Sequence, residues 1–105
     1  MIEFLREKGM PEEVLIKIVR NNDEALLYNL SCNIKNIKRI IPYMESIGIK
    51  NIENILIYKS EVLTLSFSEF IKKISKFNIP AIVELINNDY TKIDLIDWQN
   101  TKTVI

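Results

Sequence analysis

The sequence predicts an all-α fold, arranged as a short helical-repeat solenoid of about two and a half helix-turn-helix units. Three observations support this prediction. The 105 residues include only two glycines and three prolines, so few positions interrupt a helix. Apolar residues make up 48% of the chain and recur every three or four residues, as on one face of a helix. The chain also resembles itself at offsets of 37 and 39 residues, which is typical of a helical repeat.

The first two predicted helices are separated by a glycine. A helical pattern covers residues 2–8, and Gly9 is suited to end it because glycine readily adopts the positive φ of a left-handed cap. Pro11 then starts a second helix, whose inward face we expect to include Val19. Asp23 is a good N-cap for a short helical segment after it.

The central helix is the longest. Either Ser31 or Asn33 can cap it, and its apolar stripe runs to Ile47. Pro42 removes one backbone hydrogen bond inside that stripe, at a cost of about 3 kcal/mol if nothing compensates. Because the stripe stays in register past the proline, we expect one kinked helix rather than two helices. Gly48 is suited to end this helix, as a glycine ends the first.

The next part of the chain repeats this plan. A short helix over residues 52–58 precedes a turn that Ser60 can cap. A further helix begins at Ser66 or Ser68 and extends to Phe77.

The C-terminal part is expected to hold one more full helix. Asn78 stands where glycines end the earlier helices, and asparagine is the next-best residue for a left-handed cap. Pro80 then starts a helix, and Thr91 caps a last helical turn. We expect residues 1–98 to form a single domain. Residues 99–105 are mostly polar and are expected to form a flexible tail.

Internal similarity supports the repeat. The segment 23–26 matches 60–63, and the segment 31–40 matches 68–77, both at an offset of 37. A single helix-turn-helix unit cannot bury its own apolar faces, so repeated units are expected to stack. The alternative is an irregular helical bundle in which the similarity arises by chance in an isoleucine-rich chain.

The repeated pattern resembles the mitochondrial transcription termination factor repeat. The resemblance is carried by an apolar-rich helix, an Ile-Gly-apolar stop, a short helix and a turn, best over residues 40–77 and more weakly over 4–40 and 78–95. This sequence departs from the family pattern at Ser60 and Asp23, where the family has a proline. The resemblance implies a helical superhelix that binds double-stranded nucleic acid.

The charge pattern identifies candidate nucleic-acid contacts. The net charge is zero, but residues 31–80 hold eight basic and four acidic residues, net +4, between two acidic flanks. The candidate contacts are the basic residues of two predicted helices: Lys35, Lys38, Arg39, Lys72, Lys73 and Lys76. The repeat alignment pairs the two helices, so a basic stripe across both would contact phosphates. The alternative is that these residues are ordinary solvated positions.

The chain lacks the usual catalytic residues. Histidine is absent and Cys32 is the only cysteine, so neither a histidine base nor a Cys/His zinc site is available within one chain. There is also no glycine-rich phosphate loop. We therefore expect a non-enzymatic protein with no catalytic residues, no metal and no cofactor.

A protein partner is the alternative to nucleic acid. The protein would then be an interaction module, such as an inhibitor or immunity-type protein, with Tyr58, Tyr90 and Trp98 as candidate anchors. Of these three, Trp98 is favoured as a core residue. Incomplete terminal units could pair, so we expect a monomer or a homodimer. The apolar runs are short and interrupted by charges, and the N-terminus lacks a signal-peptide pattern. We expect no membrane association and a cytoplasmic location.

Overall fold

The computed structural model describes residues 1–98, and these form helices and turns without a β-strand. The seven α-helices are α1 (Ile2–Glu7), α2 (Glu12–Asn21), α3 (Glu24–Cys32), α4 (Ile34–Ser46), α5 (Ile52–Tyr58), α6 (Phe67–Ile74) and α7 (Ile79–Asn88). Two 3-10 helices are η1 (Ser60–Thr64) and η2 (Tyr90–Leu95). The all-α prediction is confirmed for the described residues, and the predicted tail 99–105 lies outside them.

Both glycines end helices as the sequence predicts. Gly9 and Gly48 have φ values of 92° and 96°, in the left-handed region. After α4, the N–H of Gly48 donates to the carbonyl of Glu45 and the N–H of Ile49 donates to the carbonyl of Met44, at 3.1 and 3.0 Å. The residues after α1 form the same two bonds. Each helix therefore ends in a Schellman motif, which satisfies carbonyls that the helix leaves free.

The prediction of a left-handed cap at Asn78 is wrong. Asn78 has φ −67° and ψ 115°, and its side-chain oxygen accepts a hydrogen bond from the N–H of Ala81 at 3.0 Å. It is therefore the N-cap of α7, whose first turn contains Pro80 as predicted. Helix α6 already ends at Ile74, so no left-handed residue is needed four positions later.

The other predicted caps have mixed outcomes. Asp23 and Ser66 accept hydrogen bonds from backbone N–H groups of α3 and α6, as expected. The serine at position 31, by contrast, lies inside α3. Thr91 lies inside η2, whose N-cap is Asp89. Ser60 does not cap η1 with its side chain and is buried.

Helix α4 is continuous across Pro42, as the uninterrupted apolar stripe predicts. Pro42 and Lys38, whose carbonyl would accept from an ordinary residue at position 42, both lie at exposed positions. The lost hydrogen bond therefore falls on the solvent side of the helix, where water can replace it.

One hydrophobic core runs through the described residues. Each of their nine helices contributes at least one buried apolar side chain. Phe70 is fully buried between two aromatic neighbours. It stacks on Trp98 at 4.9 Å between ring centroids and meets the ring of Tyr43 edge-on at 6.2 Å.

Three pairs of helices that are distant in the chain pack against each other. Helix α2 packs on α5, α4 packs on α6, and α3 packs on η1. The radius of gyration is 13.4 Å and the principal extents are 40 × 31 × 20 Å, so the molecule is flattened. This arrangement places α4 and α6 side by side.

Candidate nucleic-acid interface

Helix α4 carries the first group of candidate cations on the side away from the core. Lys35, Lys38 and Arg39 are exposed, whereas Ile37 and Ile40 are fully buried. This separation follows from the helical period, because residues at i, i+3 and i+4 share one face. The structure therefore places these three candidate cations on the solvent side of α4.

Helix α6 and the turn after it carry the second group, with one exception. Lys72 and Lys76 are exposed. Lys73 is only 4% exposed, and its ammonium donates a hydrogen bond to the carbonyl of Asp97 at 3.2 Å. One residue step rotates a side chain by about 100° around the helix, which moves Lys73 into the stripe of Phe70 and Ile74. The prediction that Lys73 contacts phosphate at the surface is therefore wrong.

Direct contacts join the two helices. The guanidinium carbon of Arg39 lies 4.2 Å from the ring centroid of Phe67, the first residue of α6. The side-chain oxygen of Asn36 accepts a hydrogen bond from the N–H of Phe67 at 2.9 Å. These contacts join α4 to the first residue of α6. We call the exposed cations of α4, of α6 and of the turn after α6 the basic surface: Lys35, Lys38, Arg39, Lys72 and Lys76.

The two groups are offset along the helices rather than level. Arg39 reaches Phe67, and Tyr43 contacts both Phe67 and Phe70, so positions advance together along the two helices. Lys72 lies five residues beyond Phe67, which is about 7.5 Å at 1.5 Å per residue. The basic surface therefore runs diagonally across the two helices, and the repeat alignment does not reproduce its register.

The charges of the basic surface are not neutralised by nearby carboxylates. Salt bridges within residues 1–98 join Lys8 to Glu45, Lys59 to Asp94, and Arg6 to both Glu3 and Glu12. None of these salt bridges includes a member of the basic surface. Within the described part of the chain, the five cations are available to an anionic ligand.

Aromatic rings support two of these cations. The ammonium of Lys38 lies 5.9 Å from the ring centroid of Phe4, and Arg39 covers Phe67. Such cation–π contacts are worth about 0.5–1 kcal/mol at exposed sites, and they restrict where the charge can move. Arg39 is therefore the most pre-organised cation of the basic surface.

The three candidate aromatic anchors lie in two different environments. Tyr58 is half-exposed and stacks on Tyr90, with ring centroids 5.4 Å apart. Beside this pair, a hydrogen bond from Lys59 to Asp94 at 2.6 Å raises the pKa of the Lys59 ammonium. Trp98 is buried and its indole N–H donates to the carbonyl of Ile93 at 2.9 Å, so it belongs to the core, as the sequence favours.

The sequence did not reveal an apolar groove between α1 and α2. The groove has a volume of about 230 Å³, and its lining includes Ile2, Ile16 and Val19. Ile16 and Val19 are nearly half-exposed, so the prediction that Val19 faces inward is wrong. The amphipathic period identified the core-facing side of α2, but not that a second side remains uncovered.

Residues 1–98 contain no group of three or more His, Cys, Asp or Glu side chains arranged to bind a metal ion. None of the helices formed by them is long and apolar enough to cross a membrane.

Comparisons of this chain with protein-family models, with curated proteins and with solved structures find no match.

Proposed function

We propose that this protein is a non-enzymatic helical-repeat protein that binds nucleic acid through the basic surface. The observation that carries the proposal is the presence of five exposed cations on and just after two contacting helices, none of them in a salt bridge among residues 1–98. Phosphates are the natural ligands of such a patch, because each contact releases a condensed counterion.

The repeat part of the proposal is supported by how the helices pack. The order of two α-helices followed by a short third helix occurs three times, ending with α3, η1 and η2. First helices α4 and α6 lie together, second helices α2 and α5 lie together, and third helices α3 and η1 lie together. Stacking of like on like is the arrangement expected of a solenoid and of the termination-factor repeats that the sequence resembles.

Side-chain amides further support stacked units. Asn22 donates to the carbonyl of Leu56, and Asn51 donates to the carbonyl of Ile86, at 3.3 and 2.6 Å. Asn87 donates back to the carbonyl of Gly48 at 2.9 Å. These bonds span 34, 35 and 39 residues, close to the length of one unit.

Binding by the basic surface should depend steeply on salt. Five phosphate contacts with a duplex give a slope of about −4 to −5 for log affinity against log salt concentration, at about −0.9 per contact. Affinity should therefore fall by about 10²–10³-fold between about 50 mM and about 200 mM salt. Fluorescence anisotropy with labelled duplex and single-stranded DNA and RNA would measure this slope.

A matched pair of double variants tests the location. The variant Lys72→Glu with Lys76→Glu should weaken binding strongly and reduce the salt slope. The control variant Lys17→Glu with Arg20→Glu changes the net charge equally on exposed positions of α2 and should have a much smaller effect. Equal losses in both variants, or no binding of any probe at low salt, would contradict the proposal.

A second candidate is a protein-interaction module of the inhibitor or immunity type. It is favoured by the stacked pair of Tyr58 and Tyr90, because exposed tyrosines are frequent interface anchors. If nucleic acid does not bind, Tyr58→Ala should reduce capture of a protein partner, whereas Tyr28→Ala on α3 should not. Tyr28 is the suitable control because it is also strongly exposed.

A further inference from the structure

The molecule has an uncovered face at the α1–α2 end. Ile16 is 48% exposed and, with Val19 and Ile2, lines the groove of about 230 Å³. Exposed Arg20 lies at the rim of the groove. An apolar groove with a charged rim is a typical protein-docking surface.

The corresponding faces of α5 and α7 show what covers this kind of surface. Counted from the N-caps Pro11, Asn51 and Asn78, the fifth residue is Ile16 in α2, Leu56 in α5 and Val83 in α7. Leu56 and Val83 are buried. Helix α5 lies against α2, and Val83 lies against Gly48 of the preceding helical unit. In both cases the neighbouring residues belong to the preceding helical unit.

Helix α7 has an uncovered side that corresponds to the side of α2 facing α5. The seventh residue after the N-cap is Ile18 in α2, Tyr58 in α5 and Leu85 in α7. Ile18 is fully buried in the helix that packs on α5. Tyr58 is half-exposed but stacks on a tyrosine of η2, whereas Leu85 is 44% exposed. Glu84, beside Leu85, is exposed and opposite in charge to Arg20 at the rim of the groove.

We infer that two copies of this chain associate head to tail, with the Leu85 face of α7 in one molecule covering the Ile16 groove of α2 in the next. The inference rests on the stacking of units proposed above and extends it across two molecules. The contact continues an interface that the chain already forms internally between α2 and α5. Arg20 and Glu84 supply charge complementarity across it.

This geometry is heterologous, because each molecule uses two different faces. One face stays free at each end of a dimer, so association continues to longer assemblies as concentration rises. Sedimentation velocity of the full chain from about 10 µM to about 1 mM should show a weight-average mass that rises above that of a 12.3 kDa monomer without a plateau at the dimer.

Two single variants and their mixture give a decisive test. Ile16→Glu blocks the groove and Leu85→Glu blocks the opposite face, so each variant alone should be monomeric. The equimolar mixture should form dimers and nothing larger, because Ile16→Glu retains its Leu85 face and Leu85→Glu retains its groove. Tyr28→Glu, at a strongly exposed position of α3, should associate like the unmodified chain.

Two results would contradict head-to-tail association. A monomer at every concentration would overturn the inference. Normal association of Leu85→Glu would also overturn it, since it would show that the Leu85 face takes no part in the contact. The variants retain the basic surface and should keep their affinity for nucleic acid, so this test and the test of the proposed function can fail separately. Circular dichroism checks that each variant keeps the helical content of the unmodified chain.

Discussion

The fifth residue of α2 and the fifth residue of α5 are both large aliphatic side chains, yet their surroundings differ completely. Ile16 is half-exposed and Leu56 is fully buried. The residue just before each of them, Leu15 in α2 and Ile55 in α5, is buried in both helices. Both helices therefore turn the same side to the core, and they differ only in whether another helix covers the next side.

The comparison shows that a neighbouring helical unit, and not the type of side chain, decides whether this position is buried. Helix α5 has α2 on one side and is bonded through Asn51 to α7 on the other. Within the described residues, helix α2 packs on α5 and on α1, and the apolar groove beside α1 stays open. An end unit thus keeps a solvent-facing apolar surface that a central unit loses.

Truncation at the two compared positions should give the largest difference. Leu56→Ala should lower the free energy of unfolding by about 2–5 kcal/mol, because it leaves a cavity in a closed junction. Ile16→Ala should change it by no more than about 0.5 kcal/mol, because the position is half-exposed. Urea denaturation of both variants would measure this difference. Similar losses in the two variants would show that α2 and α5 are equally covered in solution.

The next largest effect is expected from an amide that crosses a junction. Asn33, between α3 and α4, donates to the carbonyls of Leu63 and Leu65 at 2.6 and 2.8 Å. Asn33→Ala leaves both part-buried carbonyls unsatisfied and should cost about 1–3 kcal/mol of unfolding free energy. Asn54→Ala, at an exposed position of α5, is the matched control and should be nearly neutral in the same denaturation experiment.

A smaller effect separates backbone strain from junction packing. Gly48→Ala and Gly9→Ala each force alanine into the left-handed region, at about 1–2 kcal/mol. A methyl group at position 48 would lie 3.7 Å from Val83, an ordinary contact, and at position 9 it would meet nothing within 4 Å. Thermal unfolding should therefore show equal losses. A clearly larger loss at Gly48 would mean that the junction with α7 tolerates no additional atom.

The smallest effect concerns the rim of the open groove. The hydrogen bond from Arg6 is the main cause that lowers the pKa of the Glu12 carboxyl from its ordinary value of 4.5. A lowered folded-state pKa means that this contribution to stability is complete above pH 4.5 and is lost as the pH falls through the folded-state value. Unfolding followed between neutral pH and about pH 3 should show a smaller pH dependence in Glu12→Gln than in the unmodified chain.

Contacts close in sequence explain why much of the secondary structure could be predicted. The caps at Asp23 and Ser66, the stops at Gly9 and Gly48, and the continuous helix through the proline all depend on residues within a turn or two. Asn78 is the instructive failure. Asparagine suits both a left-handed stop and an N-cap, and where α6 ended decided between them.

The candidate site could be predicted only in part. Helical period alone places Lys35, Lys38 and Arg39 away from the core. The same period places Lys73 in the buried stripe of α6, so its burial could have been predicted. Only the partner of its ammonium, the carbonyl of Asp97, could not be read from α6, because it lies 24 residues further along the chain.

The structural role of the asparagines could not be inferred from composition. Frequent asparagine in an isoleucine- and lysine-rich chain is easily attributed to coding bias. In the fold, Asn33 and Asn51 donate across junctions to carbonyls 30 or more residues away, and Asn22 and Asn87 do the same. A polar side chain close to an apolar stripe therefore deserved a structural interpretation, because buried backbone carbonyls require donors.

By itself, the sequence determined that the chain is helical, where most helices begin and end, and which side of each helix is apolar. These properties depend on backbone conformation and on neighbours within a turn, which a short stretch of sequence specifies. Only the tertiary structure decided that the ammonium of Lys73 donates to Asp97, that Ile16 and Leu85 remain exposed, and that the two helices bearing the exposed cations lie together. These properties depend on which helix covers which, and that is set by contacts about 30 to 40 residues apart.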